Sequence, residues 1–96
     1  MRAKDFDTCY SRAVSAYNTA KRKGSNPQLI QVAGYKGDTS QADARWQEIP
    51  AKNWHHYLVV DGDRVLDPSH EQFGSEEASY SIDKLELLWD KVYEIR

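Results

Sequence analysis

Between Trp54 and Pro68 the chain reads WHHYLVVDGDRVLDP, a segment that commits its middle to β-structure. Aromatic and β-branched residues with alternating character predict a strand over 54–60. Arg64 to Asp67 reads as its hairpin partner, returned across Asp61-Gly62-Asp63. Pro68 ends the return strand, because it has no N–H to give to a ladder. The segment also carries chemistry: a histidine pair enters the outgoing strand and an aspartate closes the returning one.

The flanking segments supply the rest of a fold. From Asp7 to Lys23, Tyr10, Ala13, Val14, Tyr17 and Ala20 recur at three- and four-residue spacing and continue a stripe begun by Phe6. That spacing predicts an amphipathic helix with one buried face. Asp5, Asp7 and Thr8 suit its start, Lys21, Arg22 and Lys23 its end, and Gly24 followed by Pro27 its termination. Gln28 to Tyr35 reads as a strand. Residues 36–53 form a long polar connection with a turn at Gly37–Ser40, a weak helical turn near 41–47 and Trp46 as its one large anchor. Loops this long within a small domain are often functional. Residues 74–81 read as a polar loop, Ile82 to Leu88 as a helix, and Trp89 to Ile95 as a half-buried strand. A helix followed by mostly antiparallel strands is an α+β arrangement.

Ninety-six residues give one domain over 1–96, and 40% apolar residues suffice for its core. A net charge of -2 provides no basic footprint, so nucleic acid is not an expected partner. No apolar run approaches the roughly 18 residues that span a membrane, and MRAKDFDTC lacks the apolar stretch of a signal peptide. One cysteine makes no internal disulfide. A cytoplasmic setting fits these features. Nothing in the sequence speaks to oligomeric state.

That cysteine, Cys9, falls where the long helix should begin. Unpaired N–H groups in a first helical turn favour a thiolate and can stabilise an oxyanion. The plainer reading is a small buried apolar residue. His55 and His56 point to opposite faces of their strand, so at most one can face the sulfur. Asp67 reads either as the carboxylate behind that histidine or as the start of an Asp-Pro turn. An Asp61-Gly62 loop would set His56 directly opposite Asp67, whereas a three-residue loop over 61–63 would put His55 on the aspartate's face. Cys9, one of the histidines, His70 and Asp67 also offer metal-ligand types. Their spacing has neither Cys-x-x-Cys nor His-x-x-x-His, so no metal is expected. Trp46, Trp54 and Tyr57 read as core, and His70 with the glutamate pair at 76–77 as solvated surface.

His55, Tyr57, Leu58, Val60, Gly62, Asp67, Ser69, Gln72 and Phe73 stand in a register that resembles the YunG-like group of small papain-fold proteins, and more distantly the transglutaminase-like cysteine proteins. Cys9, with Ala13, Ala16 and Ala20 after it, is similar to the cysteine-bearing helix of that group. The resemblance covers roughly residues 7–23 and 54–74. It implies a minimal papain-like α+β domain, its N-terminal helix packed on an antiparallel sheet. Of the two histidines it selects His55, giving a site of Cys9 as nucleophile, His55 as base and acid, and Asp67 to fix the tautomer, with the Cys9 N–H contributing to an oxyanion site. The implied activity is hydrolysis or acyl transfer at an amide or thioester carbonyl of a protein or peptide-like substrate, with no cofactor. Asp7-Thr8 stands before Cys9 where that group usually carries a glutamine. The rival expectation, a papain-fold binding or inhibitor module without turnover, rests on that departure and on the small size.

Overall fold

The computed structural model describes residues 3–75 and 77–96, with side chains from Cys9 onward. It is an α+β domain in which an N-terminal helix packs on a five-stranded antiparallel sheet, the fold class expected from the sequence. Helix α1 (Ala3–Arg22) leads to β1 (Gln28–Tyr35). A long connection carrying α2 (Ala44–Gln47) and a 3-10 turn at Ala51–Asn53 then reaches β2 (His55–Asp61). After β3 (Arg64–Leu66) come a second 3-10 turn (His70–Phe73), β4 (Ser79–Ser81), α3 (Ile82–Leu88) and β5 (Trp89–Glu94). The strands lie in the order β4-β3-β2-β1-β5.

Small residues let α1 settle close to the sheet. Ala13 is fully buried against Leu29 and Val59, with Tyr10, Val14, Ala16 and Tyr17 packed around them. The helix ends in a Schellman motif: the Ser25 N–H donates to the Ala20 carbonyl, the Gly24 N–H to that of Lys21, and Gly24 takes a φ of 88°. Its start is earlier than the sequence predicts. Ala3 and Lys4 are good helix formers, and the backbone is helical from Ala3, so Asp7 and Thr8 lie within the helix rather than at its cap. The side chains of Asp5, Phe6, Asp7 and Thr8 lie outside the described residues, as do Met1, Arg2 and Glu76.

The opposite face of the sheet is aromatic. Ile30, Val32, Leu58, Val60 and Val65 point into a layer holding Tyr35, Trp46, Trp54, Phe73, Tyr80 and Trp89. Neighbouring rings sit about one ring-width apart, as in Tyr35–Trp54 at 5.1 Å and Trp46–Phe73 at 5.0 Å. The long connection folds over this layer. The Trp46 indole N–H donates to Gln72 Oε1 and the Asp43 N–H to the Gln72 carbonyl, so the segment closes the core. Residues 79–81 are a strand, not the loop expected: Tyr80 turns inward between exposed Ser79 and Ser81 and pairs with Val65. Three residues are too few for that alternation to stand out in the sequence.

Candidate active site

The turn between β2 and β3 decides which histidine enters the site. Asp61 pairs with Arg64, Val60 with Val65 and Val59 with Leu66, leaving Gly62-Asp63 as a two-residue loop. Gly62 has a φ of 65° and Asp63 a negative one, the pattern of a type II′ turn. One further step of that register sets Leu58 opposite Asp67, and His56, two residues from Leu58, shares its face. His55 lies on the other face, with Tyr57 and Val59, and is half-buried. The expectation of His55 is therefore corrected to His56. A three-residue loop would have reversed every side chain, because a slip of one residue exchanges the faces of a strand.

Pro68 explains how a sulfur on the helix reaches a histidine on the far side of the sheet. The β3 ladder stops at Leu66 and the chain turns at Pro68, which has no N–H to give, so no β3 residue pairs with Tyr57. The edge of β2 is open there, and Cys9 fills it. The Tyr57 N–H donates to Cys9 Sγ at 3.3 Å, and the Tyr57 carbonyl lies 3.6 Å from the sulfur. The sulfur thus sits in the plane of the sheet, 2.8 Å from His56 Nδ1. Arg12, one turn further along α1, fastens the helix to the chain just past Asp67. Its guanidinium donates to the Pro68 carbonyl at 3.2 Å and to Glu71 at 2.6 Å.

The other ring nitrogen, His56 Nε2, lies 2.6 Å from Asp67 Oδ1, and the Tyr80 hydroxyl donates to Asp67 Oδ2 at 2.8 Å. Phe73 meets the imidazole edge to face at 4.9 Å and Trp89 stacks on it at 5.9 Å. Burial opposes charge on the ring. The charge and hydrogen bond of Asp67, with the contact to Cys9, outweigh it and push the His56 pKa up to about 10. Burial likewise raises the Asp67 carboxyl, but the charge and hydrogen bond of His56 prevail, helped by His70 and Tyr80, and hold it below the usual carboxylate range. At neutral pH the pair is an imidazolium and a carboxylate, so both ring nitrogens donate.

Cys9 is the seventh residue of α1, past its first turn. The backbone N–H expected to help an oxyanion there belongs to the helical ladder, since only the first four N–H groups of a helix lack a partner. Cys9 is 2% exposed, His56 1% and Asp67 0%. A groove of about 630 Å³ runs beside them, between α1 and the hairpin, floored by Ala16, Ala20, Leu66 and Pro68 with Arg12 and Lys23 on its rim. It begins one helical turn from Cys9 and is not lined by the sulfur.

His70, read from the sequence as surface, is 2% exposed, and its Nδ1–H donates to the Glu77 carbonyl. Glu77 is exposed and paired with Lys84. Among the described residues, no three His, Cys, Asp or Glu side chains gather in a form suited to a metal ion. Cys9, His56 and Asp67 form a line, each touching the next, whereas ligands would converge on a point. Trp46 and Trp54 are core, as expected, whereas Tyr57 is half-buried under α1. Comparisons with protein-family models, with curated proteins and with solved structures find no match for this chain.

Proposed function

We propose that this chain is a papain-like thiol enzyme, a hydrolase or acyltransferase that works on an amide or thioester carbonyl through Cys9, His56 and Asp67. The observation that carries the reading is the unbroken line from sulfur to imidazole to carboxylate, with contacts of 2.8 and 2.6 Å. A nucleophile within reach of a base that a third group orients is the geometry of covalent acyl transfer.

In this mechanism the Cys9 thiolate attacks the carbonyl carbon, and a carbon–sulfur bond forms as the carbonyl electron pair moves to oxygen. Collapse expels the amine or thiol, which takes the Nδ1 proton of His56, and leaves a thioester on Cys9. Neutral His56 then removes a proton from water or an acceptor amine as that nucleophile attacks the thioester. The product leaves, and the thiolate and imidazolium return. Asp67 holds the ring with Nδ1 toward the sulfur throughout. No step calls for a cofactor. The groove along α1, which begins one helical turn from the sulfur, offers a peptide-like substrate an apolar floor. A reducing, cytoplasmic setting belongs to the same reading, since a lone thiol persists there. Among the described residues, no helix is long and apolar enough to cross a membrane.

Burial of the sulfur favours one other reading, a binding module that keeps the polar line as structure and turns nothing over. Iodoacetamide separates the two. On the enzyme reading, Cys9 is alkylated at pH 6 at least tenfold faster than a simple thiol, and His56→Gln removes the excess while His55→Gln leaves it. If the wild-type rate only matches that of a simple thiol, or does not depend on His56, the enzyme reading is wrong.

A further inference from the structure

The line of contacts does not stop at Asp67. Tyr80 comes from β4, the short edge strand, and is 3% exposed. Its hydroxyl meets the carboxylate oxygen that His56 leaves free. The Asp67 N–H is taken by the Ala78 carbonyl, so the same short segment binds the residue through main chain and side chain. The geometry points to Tyr80 as a positioning residue of this site: its hydroxyl anchors Asp67 Oδ2, which keeps the carboxylate ionised and turned toward His56. The inference rests on the proposed roles of Cys9, His56 and Asp67.

A buried carboxylate has two oxygens to satisfy, and one left bare costs the full desolvation of that atom. His56 and Tyr80 occupy one each. The other titratable groups facing Asp67 are His70, from the 3-10 turn, and Tyr35, from β1. Around Tyr80 itself stand the His70 ring at 4.9 Å, the Lys84 ammonium 5.7 Å above its ring, and Glu77 and Tyr35. Of these, only Tyr80 is hydrogen-bonded to the second Asp67 oxygen.

The role fixes the sign of an experiment. Tyr80 stabilises ionised Asp67 whether His56 is charged or neutral. Removing its hydroxyl therefore raises the pH at which Asp67 takes a proton and leaves the loss of the His56 proton nearly where it was. Asp67 and His56 can be followed by carbon-13 NMR titration of the carboxyl and imidazole in wild type and Tyr80→Phe. The expected result is an upward move of the Asp67 midpoint by about one to two pH units, with less than about half a unit at His56. An unmoved Asp67 midpoint, or equal moves at both groups as from general loosening, overturns the inference. Should Tyr80→Phe not fold, the wild-type hydroxyl proton decides. It should exchange slowly and sit downfield until Asp67 is protonated, and rapid exchange at neutral pH overturns the role. Iodoacetamide rates on the same samples, with His56→Gln alongside, keep the two claims apart. Rates indifferent to His56 remove the thiol mechanism, whereas the carboxyl titration alone judges Tyr80.

Discussion

The two faces of the sheet are built on different principles. The helix-side face is thin: Ala13, Leu29 and Val59 meet at close range with partly buried side chains, Tyr10, Tyr17 and Tyr57 among them, packed around. The opposite face is a layer of large rings with a charged pair at its centre, and every polar atom of that pair has a partner. A core of the first kind tolerates a change of volume. One of the second kind fixes orientation, because a buried charge that loses its partner has nowhere to go.

The largest effect should come from breaking the charged pair. Asp67→Ala leaves an uncompensated imidazolium among rings, and we expect a loss of about 3–5 kcal/mol of stability in urea or guanidinium titration. A loss under about 1 kcal/mol would mean that the pair is neutral or hydrated. The same contrast can be tested without mutation. The folded pKa of His56 is raised from 6.5 to about 10, so its contribution is fully present below pH 6.5 and is lost as pH climbs through about 10. Asp67 is lowered from 3.8, so its contribution is present above that value and is lost as pH falls through its lower folded pKa. Melting temperature should hold a plateau between about pH 4 and 6.5, falling on both sides, and Asp67→Asn should flatten the alkaline fall.

On the helix side, Leu29→Ala should cost about 2–3 kcal/mol, toward the low end for a leucine because the partly buried side chains around it can close part of the space. A cost equal to that of Asp67→Ala would erase the distinction between the faces. The smallest effect belongs to the surface. Arg12 and Glu71 make a short ion pair but are each about half exposed, and Glu71→Gln should change stability by less than about 1 kcal/mol.

Much of this architecture is legible in the residues themselves. The strand over 28–35, the helix over 82–88 and the hairpin at Gly62 announce themselves through composition and periodicity, which are local properties. The site is legible only in part. Cys9 and Asp67 could be picked out by type, but the choice between His55 and His56 depends on where a turn closes. The family-like register favoured one histidine and the Asp-Gly signal the other. Any two-residue loop in this segment selects His56, whether it closes at 61–62 or at 62–63, so the turn chemistry was the better guide. Tyr80 and His70 carried no signal. His70 lies in a 3-10 turn and Tyr80 on a three-residue edge strand, and burial within elements so short depends on long-range packing.

The end of the β2–β3 ladder short of Tyr57 ties the state of the sulfur to the main chain. With no facing strand, the Tyr57 amide relies on Cys9 for its acceptor. An acyl or alkyl group on that atom would leave the amide a weaker acceptor. Proton–deuterium exchange at this single peptide group would then report whether the thiol is loaded, with no label placed on the substrate.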